Sequence, residues 1–209
     1  MVSAVEHAGS RPEAAWGAAL SMALCVAMLI ASEFMPVSLL TPMAAGLAAI
    51  EGQTGQAISV SGLFAVLASL LITTAAGRLN RKAVLVVLTG LMLLSQVLVA
   101  AAPNFRVLMI GRAVLGLCIG GFWALATAVI MRLVPVADVP RALALMYGGQ
   151  AIAAAFAAPI GSYLCGIFGW RAVFWALTPI VAINLVWHVV ALPSLPARQR
   201  RMSGHCSTC

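Results

Sequence analysis

Long apolar stretches separated by short polar breaks make up most of the chain from Trp16 onward. An α-helix needs about 20 residues to cross the hydrocarbon core of a bilayer, and each stretch is long enough to do so. Glycines and prolines concentrate in the breaks, where they favour turns over regular structure. The pattern predicts six transmembrane helices, over residues 16–40, 57–77, 83–102, 106–131, 142–167 and 172–192.

Composition supports a membrane protein and argues against an ordinary soluble fold. Hydrophobic residues make up 63% of the chain and charged residues only 8%, whereas soluble domains carry about 25% charged residues. Much of the apolar content is Ala, Leu, Val and Gly, which suits close helix packing in lipid. We therefore predict an all-α membrane protein whose two sets of three helices form a 3+3 inverted repeat, a common transporter plan.

The basic residues predict the orientation of the helices, because Lys and Arg gather in the cytoplasmic loops of membrane proteins. We assign the net charge of +7 to this bias rather than to nucleic-acid binding. With the N-terminus inside, the outer loops hold only Arg106 and Arg171. The cytoplasmic segments hold nine basic residues, Arg11, Arg78, Arg81, Lys82, Arg132, Arg141, Arg198, Arg200 and Arg201. We expect cytoplasmic tails over 1–15 and 193–209, and a membrane bundle over 16–192.

Neither a metal centre nor a catalytic centre is expected from the sequence. Cys206 and Cys209 lie beside His205 near the end of the chain, which is too few ligands for a closed zinc site. The other three cysteines lie in apolar stretches, where a lone cysteine acts as a small hydrophobe. There is no nucleophile–base–acid cluster and no Gly-rich phosphate loop, so we expect no cofactor and no enzymatic activity.

Three ionisable residues lie inside predicted helices, where each is costly and a functional candidate by default. Glu33 lies about 10 Å and Arg112 about 9 Å from the outer ends of their helices, from the rise of about 1.5 Å per residue. An ion pair at this shared depth would offset much of the cost of burying each charge. It is either a structural pair or a proton site, with Glu33 carrying the proton and Arg112 tuning it. His188, beside Trp187, is expected in the interfacial belt.

Other polar and aromatic side chains inside the spans are candidates for a substrate cavity. Polar groups need partners in a dry setting, so they should point away from lipid. An aromatic ring among them either stacks on a flat ligand or packs in the core. The candidate cavity residues are Ser38, Phe122, Trp123, Tyr147, Gln150 and Asn184.

Small residues and a proline mark the fourth and fifth spans as helices that could slide or bend. Gly116 and Gly120 form a small-x-x-x-small pattern, which allows two backbones to approach closely. Pro159 frees a backbone carbonyl and provides a bend site, with Gly161 two residues later. Helices of this kind are used in alternating access.

Three stretches of the chain carry recognisable motifs. Residues 112–121 combine a buried arginine with spaced glycines, and residues 158–174 run from Ala-Pro-Ile-Gly to a Gly-Trp-Arg exit. Arg78, Arg81 and Lys82 form a short basic loop between the second and third spans. Together these stretches resemble the helix-four, antiporter and cytoplasmic-loop motifs of the major facilitator superfamily, in the N-terminal half of its drug:proton antiporters. The loop is a shortened form of the family's motif.

Further stretches are similar to the bacterial purine ribonucleoside efflux pumps within that family, over about residues 15–196. They are residues 33–43, 120–124, 131–135 and 192–196. This resemblance implies proton-driven export of inosine- or guanosine-like nucleosides across the bacterial inner membrane. The implied partners are a small-molecule substrate, protons and the lipid bilayer.

The resemblance also implies a larger machine, because the family has twelve helices and places its substrate site between two six-helix halves. We expect this chain to be an N-terminal half, arising from truncation or a frameshift. It would then need a second half, or a second copy of itself. Two other hypotheses remain open: the same machinery exporting a drug or sugar, and a vestigial membrane protein that transports nothing.

Overall fold

The computed structural model describes residues 16–75 and 80–192, and most of these residues are helical. The helices are α1 (Trp16–Ser38), α2 (Leu40–Gly46), α3 (Glu51–Ala75), α4 (Arg81–Ala100), α5 (Phe105–Leu133), α6 (Val139–Phe168) and α7 (Trp170–Ala191), with a 3-10 turn over Val136–Asp138. All of them except α2 and the turn are long and apolar enough to cross a membrane. The described residues therefore confirm the predicted all-α fold with six spans. Both predicted tails lie outside them.

The helix boundaries differ from the sequence prediction by up to six residues, and two of the differences have a clear physical reason. The first span ends at Ser38 and the chain restarts as α2, because Pro42 has no N–H to donate to the carbonyl of Ser38. The second span begins at Glu51, earlier than predicted, and includes Gly52 and Gly55. Each glycine inside a helix costs only about 1 kcal/mol relative to alanine, which packing in a long apolar helix can offset.

The pairing of the helices follows the predicted inverted repeat. The most extensive interfaces are α1 with α6 and α3 with α5. If the first triplet of spans (α1, α3, α4) is matched in order with the second (α5, α6, α7), α1 corresponds to α5 and α3 corresponds to α6. The α1–α6 interface then corresponds to the α5–α3 interface, as expected for repeats of inverted topology. The third helices of the two triplets, α4 and α7, also contact each other. As a result α1 and α5 are the most buried spans, and α3 and α6 the least.

Two apolar clusters fill the interior and leave room for polar groups between them. One cluster includes Leu115 and Phe122 of α5. The other includes Leu108 of α5 and Trp170 of α7. Arg112 lies between the two clusters along α5 and is itself buried. A buried cation at this junction has to find its partners on the neighbouring helices.

Short turns hold successive helices antiparallel. Gly169 is the single residue between α6 and α7 and adopts φ 81°, a left-handed conformation that glycine takes without steric cost. Asparagine side chains cap two other helices: Asn80 accepts from the N–H of Lys82 at 3.0 Å, and Asn104 from the N–H of Val107 at 3.1 Å. Each cap satisfies a backbone donor that the first turn of a helix leaves free.

Basic residues are unequally divided between the two ends of the bundle. We call the end at which α1 begins the basic end. Among the described residues it carries Arg81, Lys82, Arg132 and Arg141, whereas the opposite end carries Arg106 and Arg171. At that opposite end, Arg171 donates to the carbonyl of Ala102 at 2.9 Å and lies over the ring of Trp170. The basic end therefore carries more positive charge than the opposite end.

Candidate functional site

An ion pair between α1 and α5 forms the centre of the candidate site. Nη2 of Arg112 lies 2.8 Å from Oε2 of Glu33. The Arg112 side chain is 1% exposed and that of Glu33 is 21% exposed. The structure thus brings together the two charged residues at similar predicted depth. A buried cation is held against a carboxylate that keeps one exposed edge, from which a proton could reach it.

The guanidinium of Arg112 joins three helices. Besides Glu33 on α1, it donates to the carbonyl of Ser32 at 3.0 Å, to the carbonyl of Ala57 on α3 at 3.4 Å, and to Oγ of Ser61 on α3 at 3.1 Å. A planar guanidinium has five N–H donors in a fixed fork, which suits several acceptors at once. Lysine is a point charge and would not reproduce this arrangement.

Ser61 is the residue that sequence reasoning missed. Its hydroxyl accepts from Arg112 and lies 2.7 Å from Oε1 of Glu33 and 2.8 Å from the carbonyl of Ile58. A hydroxyl has one proton to donate, so only one of these two acceptors is served at a time. The hydroxyl can therefore donate either to Glu33 or to the carbonyl of Ile58. The only signal in the sequence was a small polar residue inside an apolar span.

A second polar link extends the site to α4. Nε2 of Gln96 donates to Oγ of Ser32, and that hydroxyl donates to the carbonyl of Met28 at 2.6 Å. Gln96 and Ser32 are both buried. Because the carbonyl of Ser32 also accepts from Arg112, the link to α4 holds the same turn of α1 that presents Glu33.

Two glycines of α5 allow α3 to reach this site. A Cβ atom built on Gly116 would overlap the carbonyl oxygen of Ser61, and one built on Gly120 would overlap that of Ala65. The small-x-x-x-small pattern therefore lies where the two backbones meet. The close approach of α3 positions the Ser61 hydroxyl within hydrogen-bonding distance of Arg112.

Two of the predicted cavity residues meet between α5 and α6, and a third lies one turn away on α6. The rings of Trp123 and Tyr147 are stacked, with centroids 6.0 Å apart and an interplanar angle of 17°. Tyr147 is 45% exposed, and Gln150 lies one turn further along α6, half-buried. A partly open pair of aromatic rings with an amide nearby could bind a flat polar ring by stacking and hydrogen bonding.

The other predicted cavity residues lie elsewhere in the bundle. Phe122 is buried in the core and meets the ring of His188 edge-on, with centroids 6.4 Å apart. Ser38 donates to the carbonyl of Met35 at 2.9 Å and faces Gly161 of α6. Neither side chain is placed beside the stacked rings. Phe122 therefore packs in the apolar core, which is one of the two roles expected for an aromatic ring inside a span, the other being stacking on a ligand.

Asn184 and His188 form a buried polar stripe on α7, and the assignment of His188 to the interfacial belt is wrong. His188 is fully buried, and its Nδ1 lies 3.3 Å from the carbonyl of Asn184 one turn earlier. Trp187 turns outward instead, at 36% exposed. Among the described residues, Nε2 of His188 has no hydrogen-bond partner, and the Asn184 amide makes no hydrogen bond of ordinary length, its polar neighbour being the thiol of Cys25. Because both lipid and the protein interior are apolar, the sequence of a membrane helix does not indicate which of its faces is buried in the protein.

The predicted conformational residues are only partly covered by the structure. Arg78 lies outside the described residues, while Arg81 and Lys82 begin α4 at the basic end. Pro159 lies within α6 without ending it, since that helix runs from Val139 to Phe168. Gly161 packs against α1, where a Cβ atom would meet Cγ of Met35 at 3.2 Å.

The residues considered for metal binding, Cys206, Cys209 and His205, also lie outside the described residues. Within 16–75 and 80–192, no three His, Cys, Asp or Glu side chains are grouped as a metal site would require. Cys25 is buried, with its Sγ 3.7 Å from Oγ1 of Thr89. This cysteine therefore packs as part of the core.

Sequence comparison places these features among known proteins. The sequence profile of the Major Facilitator Superfamily matches residues 22–205. The chain is 50% identical over 199 residues to the transcription regulatory protein OpdE of Pseudomonas aeruginosa, covering 94% of this chain and 50% of that protein. It is 46% identical over 190 residues to the purine ribonucleoside efflux pump NepI of Escherichia coli O6:H1, covering 91% of this chain and 48% of the pump. The chain spans about half the length of the curated relatives it matches.

Comparison with solved structures supports the same fold. A bacterial homologue of the human lysosomal transporter Spinster, in an inward-facing and unoccupied conformation, matches with a TM-score of 0.71 at 16% sequence identity. The match covers 88% of this chain and 44% of that one. At this low identity the likeness concerns the arrangement of helices alone. It agrees with the six-helix bundle and its paired triplets.

Proposed function

Because the chain belongs to the major facilitator superfamily, we propose that it is the N-terminal six-helix half of a proton-coupled exporter of purine ribonucleosides or similar small solutes. Family membership makes it a multi-pass membrane protein of a transporter family and confirms that it is not an enzyme. A second six-helix half, or a second copy of this chain, would complete the substrate site.

The observation that supports proton coupling is the pairing of buried Arg112 with partly exposed Glu33. A charged Glu33 offsets the charge of Arg112 in a dry setting. When a proton binds the carboxyl, Arg112 loses its counter-charge and the Ser61 hydroxyl loses its charged acceptor. The bonds that join α1, α3 and α5 at this point then weaken together. Proton binding is in this way linked to the packing of helices that alternating access has to move.

A purine ribonucleoside suits the open polar surface between α5 and α6. Its flat base can stack on the Trp123–Tyr147 pair, and its base edge and ribose offer donors and acceptors to Gln150. The similarity to a protein named as a purine ribonucleoside efflux pump supports the same substrate class. Drugs or sugars handled by related machinery are the alternative.

We propose that the basic end faces the cytoplasm of a bacterial inner membrane. Its excess of Lys and Arg over the opposite end supports this orientation. Both termini would then be cytoplasmic, because α1 begins and α7 ends at the basic end. A carboxyl that lies nearer the opposite end, as Glu33 does, would receive its proton from outside in one conformation of the transport cycle.

The test is proton-driven transport by a Glu33→Gln variant, made in the full-length context and reconstituted in vesicles. The variant keeps the shape of the side chain and removes its charge. We expect flux of labelled inosine driven by an imposed pH gradient to fall to background, while exchange of inosine without a gradient is retained. Asp138→Asn is the matched control, because Asp138 is a carboxylate in a loop at the basic end. Normal gradient-driven flux in Glu33→Gln would show that the coupling role is wrong.

Competition separates the proposed substrate from its alternatives. Unlabelled guanosine should inhibit labelled inosine flux, whereas a drug or sugar added at equal concentration should not. A reversal of that order would assign the chain to multidrug or sugar export within the same family.

A second candidate function follows from the relative whose name describes transcription regulation. On this alternative the chain is a membrane protein that transports nothing and acts through another protein. Absence of any nucleoside, drug or sugar flux in vesicles, together with altered transcript levels when the gene is deleted, would favour it over transport.

A further inference from the structure

A continuous apolar groove runs between α1, α6 and α7 on the outside of the bundle. It is made of two cavities of about 360 Å³ and about 480 Å³. Both cavities are lined by Ala27 of α1 and by Gly149 and Ile152 of α6, so they join at this level. We call this feature the α1–α6 groove. It extends along α1 from Leu20 to Met35.

The groove is separate from the charged site. Residues of α1 that line it, such as Leu24, Ala27 and Ala31, recur at helical spacing on one face. At about 100° per residue, Glu33 lies on the opposite face of the same helix. On α6, Tyr147 likewise faces α5, away from the groove. The groove therefore opens away from both the charged site and the proposed substrate surface.

Its length and surface suit a hydrocarbon chain. From Leu20 to Met35, α1 rises by about 22 Å over fifteen residues. A hydrocarbon core is about 30 Å thick, so the groove is longer than one leaflet of about 15 Å is deep. Small side chains form its floor, and the large apolar side chains Ile152 and Phe156 of α6 stand on its rim, 63% and 58% exposed. A floor of this kind leaves room for a flexible apolar chain along the helices.

A cationic side chain lies in line with the groove at the basic end. Arg141 precedes Leu145, Gly148 and Ile152 by one, two and three turns of α6, so all four share a face. The Arg141 side chain is 79% exposed, and its one ion pair among the described residues is a 3.2 Å contact with Asp138, which uses Nη1. The guanidinium keeps further N–H donors for an anion. Trp187 lines the same end of the groove, as aromatic residues at membrane interfaces do.

We propose that the α1–α6 groove binds one acyl chain of an anionic phospholipid, with the lipid phosphate held at Arg141. The apolar groove holds the acyl chain, and the arginine at its end favours a lipid with an anionic headgroup. This site does not depend on the proposed transport function, since among the described residues no side chain that lines the groove is hydrogen-bonded to Glu33 or Arg112.

The experiment measures lipid retained by the intact chain after reconstitution in vesicles of equal parts phosphatidylglycerol and phosphatidylethanolamine. Native mass spectrometry counts the lipids that remain bound after mild detergent release. We expect one tightly held lipid, enriched in phosphatidylglycerol over the vesicle average. Arg141→Gln should lower that enrichment about five-fold, from the typical contribution of one basic residue near an anionic surface. Arg106→Gln, at the opposite end, is the matched control and should leave it unchanged.

A second pair of variants tests the groove itself. A Cβ atom on Gly148 meets no atom within 4 Å, so Gly148→Leu can fill the groove without disturbing the backbone. It should reduce retention of both lipids. Gly62→Leu on α3 is equally unhindered, lines neither cavity and should retain lipid normally.

Several results would overturn the proposal. Equal retention of the two lipids by the unaltered chain would remove the anionic preference. Unchanged retention in Gly148→Leu would place the bound lipid elsewhere. A lipid-free dimer that Gly148→Leu converts to monomer would show that a second copy of the chain, and not lipid, occupies the groove.

Discussion

Replacing Gly116 by alanine tests whether close packing of α3 on α5 builds the charged site. The new Cβ atom would lie 2.9 Å from both Cα and the carbonyl carbon of Ser61, besides overlapping its carbonyl oxygen. Restoring ordinary contact at 3.4 Å requires the helices to separate by at least about 0.5 Å. That movement lengthens the 3.1 Å bond from Arg112 to Ser61 beyond hydrogen-bonding distance.

The energetic effect can be stated from these contacts. Overpacking costs about 1–3 kcal/mol, and losing a hydrogen bond to a charged group costs about 1.5–3 kcal/mol. Alanine returns about 1 kcal/mol over glycine in a helix. We therefore expect Gly116→Ala to lower the free energy of unfolding by about 1.5–5 kcal/mol, measured by titrating the folded chain from mild detergent into sodium dodecyl sulfate.

Gly62→Ala is the control for this measurement. It makes the same chemical change in α3, next to Ser61, where an added Cβ atom meets nothing within 4 Å. It should be neutral or stabilising by up to about 1 kcal/mol. A double-mutant cycle with Ser61→Ala adds a second criterion: Ser61→Ala should cost less in the Gly116→Ala background, because the bond to Arg112 is already lost. Equal stability of the two glycine variants, or full additivity with Ser61→Ala, would refute this packing.

Three further predictions concern other parts of the structure. Arg112→Ala should lower the free energy of unfolding by about 3–5 kcal/mol by stranding a carboxylate, and adding Glu33→Gln should recover part of that loss in the same titration. Asn184→Leu should be neutral or raise the thermal midpoint, because it removes a buried amide that costs about 1–3 kcal/mol when unpaired; a large loss would reveal a hydrogen-bonding partner such as water. Under the proposed orientation, a membrane-impermeant maleimide added to intact cells should label Pro103→Cys but not Ala137→Cys, and the opposite pattern would invert the topology.

The number of helices and the charge pair could be predicted because each follows from a cost that lipid imposes. An apolar stretch of sufficient length crosses the bilayer, and two opposite charges at one depth reduce each other's desolvation. The rotation of each helix about its axis could not be predicted. Lipid and the protein interior are both apolar, so the sequence around His188 or Phe122 carries no stripe that separates the two faces. Consequently Ser61 was missed and His188 was assigned to the wrong surface.

The glycine pattern and the charge pair, predicted as separate features, are parts of one arrangement. Gly116 lets α3 approach α5, this approach places Ser61 beside Arg112, and Ser61 also contacts Glu33. Removing the charge of Glu33 therefore alters the bonds across the α3–α5 and α1–α5 contacts at the same point. If Glu33 takes up a proton as proposed, that proton changes the bonds that hold these helices together. A substitution that separates them, such as Gly116→Ala, should then weaken proton coupling as well as stability, although Gly116 touches no ionisable group.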